Sequence, residues 1–179
     1  MVTENMKIKL SYLILLLVIS ITLIGYNVIS SQRVREEKLE LEIEIDKQVY
    51  QPNSSIPIVI RLKNTGNVRL LINRRLSVNH VDAPRGLRDI TFVVIGPDGE
   101  QIPFKASVNI GHLSNKDIIV LAPNRSIEVS DDIGTLYDIQ QDGSYTIYAI
   151  YQNVIESDNN NSTWKGEITS NAIRFEIVP

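Results

Sequence analysis

The sequence predicts an all-β protein, an antiparallel two-sheet sandwich carried behind one apolar helix. Three observations lead there. Residues 10–29 form an apolar run that no charge interrupts. From Leu39 onward apolar residues recur with a period of two, the mark of a half-buried strand. Turn signals built on Pro, Gly, Asn and Asp then separate one short apolar run from the next, and no helical period returns.

The apolar run comes first. Twenty helical residues rise about 30 Å, which matches a bilayer core. Apolar residues lie on every face of this helix, unlike the single stripe of a helix docked on a soluble core. Lys7 and Lys9 precede it, in the layout of an export signal. The run is longer than an ordinary signal-peptide core, so the reading is an uncleaved signal anchor over residues 10–30. Cleavage near Ser30, where Val28 and Ser30 are small, is the alternative and would give a secreted protein. The expected organisation is a tail at 1–9, the transmembrane or signal-anchor helix at 10–30, a charged linker at 31–38 and one β domain at 39–179. A single-pass membrane protein with its C-terminal domain outside the cytoplasm follows, because long domains cross largely regardless of their charge.

The 179 residues carry a net charge of −3 with a pI of about 5.4, so there is no basic field for nucleic acid. Cysteine is absent, which excludes disulfides, thiolate zinc sites, cysteine nucleophiles and a lipid anchor on Cys.

Within the domain, Leu39, Leu41, Ile43 and Ile45 alternate with Glu40, Glu42, Glu44 and Asp46. Apolar residues face in and carboxylates form a solvated outer face, which also discourages edge-to-edge association of like strands. Tyr50-Gln51-Pro52-Asn53-Ser54 is a turn. A second strand points Ile56, Ile58, Ile60 and Leu62 inward, and Lys63-Asn64-Thr65-Gly66-Asn67 turns the chain again. Residues 68–72 read as a third strand, and 73–88 as a long polar connection. Residues 91–95 form a short apolar strand, and Gly96-Pro97-Asp98-Gly99 a hairpin turn from which 101–104 return. Further strands are expected at 118–121, 126–129 and 145–151, with a closing strand over 168–177 just after Trp164.

Before the strand at Tyr145, a hydrophobic anchor and an Asp142-Gly143 turn precede the tyrosine by a short interval. That is the pattern of a tyrosine corner, in which the phenol bonds back to an upstream backbone group. Asp142, Gly143, Tyr145 and Trp164 are therefore the candidate structural residues. In all, about seven to nine short strands point to an immunoglobulin-like sandwich of Greek-key type.

Longer patterns carry a resemblance. Tyr50 to Gly66, with its Tyr-x-Pro turn and I-x-I-x-L-K-N-T-G, resembles the opening of prokaryotic immunoglobulin-like modules. Leu121-Ala122-Pro123-Asn124 through Asp142-Gly143-Ser144-Tyr145 resembles their second half, although Asn124 stands where glycine is usual. Trp164-Lys165-Gly166 through Ser170-Asn171 resembles a closing strand of exported domains. Similar spacing occurs in a bacterial intracellular proteinase-inhibitor family with the same type of fold. The resemblance spans most of residues 39–179; its motifs are structural and imply the fold far more than a function, with protease inhibition the one activity it suggests.

No catalytic constellation, cofactor motif or closed metal site emerges. His80 and His112 stand far apart in polar contexts, and His80 with Asp82 is at most half a metal site. Asp131, Asp132, Asp138 and Asp142 lack EF-hand spacing and read as turn and cap residues. Arg69, Arg74, Arg75, Arg85 and Arg88 cluster in sequence. Arg74 and Arg75 are candidate contacts for an acidic partner, including the glutamate face of a second copy in a homo-oligomer. The polar loop around Asp158, Asn159, Asn160 and Asn161 must be exposed and is the other candidate contact. Asn53, Asn124, Asn160 and Asn161 begin glycosylation sequons. The expected function is a protein-binding or assembly module on a membrane tether, with an accessory subunit of a membrane complex or cell-surface filament as a further alternative.

Overall fold

Strand β1 (Leu39–Ile45) buries Leu39, Leu41 and Ile43 and exposes Glu40, Glu42 and Glu44, so its burial follows the alternation of its sequence. The computed structural model describes residues 35–79, 89–107, 114–153 and 162–179. Glu36–Pro179 form one structural unit. The apolar segment at 10–30 lies outside the described residues, among which no helix is long and apolar enough to cross a membrane.

The chain is mostly β and its sheets are mainly antiparallel. After β2 (Val49–Tyr50), β3 (Pro57–Asn64) runs antiparallel to β1, from Asn64 opposite Leu39 to Ile58 opposite Ile45. Ile58, Ile60 and Leu62 point inward and are fully buried. The other edge of β3 pairs with β7 (Ser126–Asp132), giving a first sheet in the order β1-β3-β7. A small separate sheet sets β4 (Leu70–Asn73) between β6 (Ile118–Leu121), antiparallel, and β9 (Ser162–Thr163), parallel.

The remaining sheet is built on β8 (Gly143–Asn153), whose Tyr145, Ile147, Ala149 and Tyr151 share one buried face. β5 (Ile90–Ile95) lies along one edge of β8. Along the other run β10 (Gly166–Thr169) and β11 (Ile173–Ile177). The short β2 leaves the first sheet and pairs in parallel with the end of β11. β1 packs against β8 and β10, so the two larger sheets face each other across the core. Each side chain fully buried there contributes roughly 1.5–3 kcal/mol, a supply that needs no disulfide.

Several expectations change in detail. The closing strand predicted over 168–177 is two strands. Thr169 faces Ile150 and Ile173 faces Ile147, so Ser170, Asn171 and Ala172 answer only Tyr148 and Ala149. This is a β-bulge. Ser170 supports it twice: its N–H donates to the Ala149 carbonyl at 2.8 Å, and its hydroxyl oxygen accepts the Ala149 N–H at 2.8 Å. The third strand begins at Leu70 rather than 68, because the buried Asn64 amide holds the Val68 carbonyl at 2.8 Å in the preceding turn. The return after the Gly96–Gly99 turn is two isolated bridges, Ile95–Gln101 and Phe104–Tyr137, rather than a strand.

Short helical turns also occur where only strands and turns were expected. α1 (Ile133–Leu136) is one turn capped by Asp132, and a 3-10 turn spans Asn115–Asp117. Both are too short to carry a helical period in the sequence.

Candidate functional site

Among the described residues β1 is an edge strand, with β3 its single partner in its sheet. β10 likewise ends its own sheet on the same side of the molecule. Between these edges the bulge reaches across. The Asn171 side chain donates from Nδ2 to the Ile43 carbonyl at 3.0 Å and accepts the Ile43 N–H on Oδ1 at 2.9 Å. Toward the start of β1 the two edges are not pinned in this way. There a cleft of about 460 Å³ is lined by Leu39, Leu41, Thr65, Ile168 and Asn171, with the charged Lys38 and Glu40 also on its wall.

The outer face of β1 carries Glu40, Glu42 and Glu44. Arg61 on β3 donates to Glu42 at 3.1 Å and to Glu128 on β7 at 2.7 Å, linking three strands across an exposed surface. Among the described residues neither Glu40 nor Glu44 has an ion pair.

The second polar centre is internal. Asp89 is buried, 3% exposed, just before β5. It accepts hydrogen bonds from Asn73 Nδ2 and from the Ser77 N–H at 3.0 Å, and Arg75 Nε lies 3.4 Å from it. Burial pushes its carboxyl above the ordinary aspartate range, and the Ser77 N–H and the Arg75 guanidinium pull part of the way back. This knot holds the turn at 74–77, where Leu76 is buried with φ of +49°, a conformation costly for a side chain of its size. Arg75 is therefore turned toward Asp89 and does not join Arg74 in one exposed basic patch. A desolvated carboxylate sets a stronger demand for that guanidinium than water does. Arg74 is exposed.

The Tyr145 hydroxyl donates to the Gln141 carbonyl at 2.8 Å, and its ring stacks on Phe175 with centroids 5.4 Å apart. Gly143 has φ of +133°, and a Cβ there would lie 2.8 Å from Pro97 Cβ, so both conformation and space require glycine. Asp142 is exposed in that turn. Trp164 is nearly buried and stacks on Tyr151 at 6.0 Å, while its carbonyl accepts from Asn153 Nδ2 at 2.7 Å. Asn53 and Asn124 are exposed turn residues with φ near +60°, which asparagine tolerates in place of glycine.

Asp158, Asn159, Asn160 and Asn161 lie outside the described residues, as do His80, Asp82, Arg85, Arg88 and His112. Among the described residues no group of three or more His, Cys, Asp and Glu side chains could hold a metal ion. Asp132 is a helix cap, and Asp138 accepts from Gln140 Nε2 at 2.6 Å.

The roles of Asn64, Asn73, Asp89, Asn153 and Asn171 do not follow from composition or periodicity. Asn64 and Asn171 stand inside the K-N-T-G and S-N patterns noted above, which was a usable signal. The other three are single polar residues in or beside apolar strands, and only their burial identifies them.

No family model matches the chain, and no curated protein matches it. Among solved structures, the chain is similar to the CARDB domain of the PF1109 protein from Pyrococcus furiosus, determined in complex with di-metal ions. That match has 14% identity and a TM-score of 0.42, and covers 82% of this chain and 97% of that one. It is also similar to a Northeast Structural Genomics Consortium target, SoR45, at 14% identity and a TM-score of 0.38, over 78% of this chain and 85% of that one.

Proposed function

We propose that the chain is a non-catalytic binding or assembly module, an immunoglobulin-like sandwich held outside the cytoplasm on a membrane anchor at residues 10–30. Two features support the finer fold. The strand orders β1-β3-β7 and β5-β8-β11 correspond to the A-B-E and C-F-G groups of that fold. Tyr145 bonds back to the backbone at the start of β8, the place of the tyrosine corner. The uncharged run in the sequence supports the anchor.

The observation that carries the binding reading is the open edge of β1 beside the edge of β10. Strand edges that end in a cleft are what β-augmentation uses to capture extended segments. The test uses cells that carry the full chain. A reporter fused at Pro179 should be active only outside the cytoplasm, and cross-linking of intact cells should give one discrete adduct with a protein partner. A reporter active in the cytoplasm overturns the topology. Recovery of the chain only as an uncross-linked monomer overturns the binding module.

A further inference from the structure

We infer that the cleft at the start of β1 accepts an extended partner segment in which basic and apolar residues alternate, paired as an added strand against Leu39 and Leu41. This rests on the binding reading above and names its surface and the chemistry of its partner.

The backbone supplies the first argument. Ile43 directs its N–H and C=O away from β3, to Asn171. In an antiparallel strand the groups of alternate residues point the same way, so Leu41 and Leu39 direct theirs to the same open edge. Lys38 agrees with this register, since its carbonyl turns the other way to accept from Thr65 and Gly66. Asn171 itself stands as a stand-in for one peptide unit of a neighbouring strand. It occupies that place at Ile43, and among the described residues no backbone hydrogen bond fills it at Leu41 and Leu39, where the cleft lies. The site is short for the same reason, because Asn171 closes its far end.

Side chains supply the second argument. An added strand would place alternate residues beside Glu40 and Glu42 on the outer face, and the others over Leu39, Leu41 and Ile168. Opposite charges on neighbouring strands attract and like charges repel. Glu40 has no ion pair among the described residues, although Lys63 stands opposite it on β3, and Glu42 is shared with Arg61. A second copy pairing through β1 would set these carboxylates against their own kind. The favoured occupant is therefore a segment with Lys or Arg outward and Val, Leu or Ile inward.

The experiment uses the full chain and a blocked seven-residue peptide of alternating lysine and valine. A peptide of the same composition with its lysines grouped is the first control, and one with glutamate in place of lysine the second. Binding of the alternating peptide should slow amide exchange at Leu39 and Leu41. The exposed double substitution Glu40→Lys with Glu42→Lys, at the two carboxylates the added strand would lie beside, should weaken its affinity about tenfold, the sum of two charge contacts. Equal binding of the grouped peptide, or binding without protection at Leu39 and Leu41, overturns the inference. So does self-association of the chain that Glu40→Lys with Glu42→Lys abolishes, because the occupant is then a second copy. The cellular adduct separates the two levels. An adduct unchanged by the double substitution sinks this inference and leaves the binding module standing. Absence of any adduct with the native chain sinks the module itself.

Discussion

The side chain of Asn171 pairs in both directions with the backbone of Ile43, although the two residues are 128 positions apart. One amide thus joins the bulge of the second sheet to the edge of the first. It does so two residues before β1 ends, after which the chain crosses to pair with β11 as β2. Asn171→Ala should cost about 1–3 kcal/mol, since two backbone groups at a partly buried edge lose their partner. Asn171→Asp should cost at least as much, because a carboxylate cannot donate to the Ile43 carbonyl. Urea denaturation checks both, and a cost below about 0.5 kcal/mol would mean that water replaces the amide without loss.

That pairing also marks how far the sequence could be read. The alternation of β1 and β3 was legible because each strand has one wet and one dry face, and burial enforces the period. The single strand expected over 168–177 was not resolvable into two, because a bulge adds one residue to a pattern that stays apolar on both sides of it. Arg75 shows the second limit. Its neighbours in sequence suggest a basic patch, but a carboxylate buried fourteen residues later claims its guanidinium. Long-range polar pairing of this kind leaves no periodic trace.

The bond from Tyr145 to Gln141 can be tested without disturbing the stack on Phe175. Tyr145→Phe keeps the ring and removes the hydroxyl, leaving the Gln141 carbonyl near enough to solvent to find water. A loss of about 1 kcal/mol is expected, or roughly 2–4 °C in Tm for a domain of this size. Calorimetry on the full chain reads the shift. No measurable change would make the hydroxyl a passenger on a ring that does the packing.

Asp89 should behave differently from any surface carboxylate. Asp89→Ala would take from Arg75 and Asn73 the carboxylate they share, and removing one partner of a buried pair costs about 3–5 kcal/mol. The left-handed Leu76 would also lose the hydrogen bond at Ser77 that holds its turn. Asp89→Asn keeps a carbonyl oxygen for Ser77 and should cost less than the alanine variant. Equal costs for the two, measured by equilibrium unfolding, would locate the effect in packing and not in the polar knot.

Asp132 supplies the clearest pH signature. Partial burial alone would raise its carboxyl pKa, but the Ile56 N–H, the Ser55 hydroxyl and the Gly134 N–H all donate to it and hold it below the ordinary value. The unfolded chain therefore takes up the proton more readily than the folded one. Its contribution to stability is present above about pH 3.8 and is lost as pH falls through the lower folded value. Asp132→Ala removes a helix cap and the tie from β7 to residues 55 and 56, and should cost about 1–3 kcal/mol at neutral pH. The gap between native protein and variant should then narrow as the pH falls from 5 to about 2, because protonation removes from the native side chain what the substitution has already taken away. Urea denaturation at three pH values measures that gap directly. A gap that stays constant across the range would mean that Asp132 acts through shape and hydrogen-bond geometry, with its charge contributing nothing.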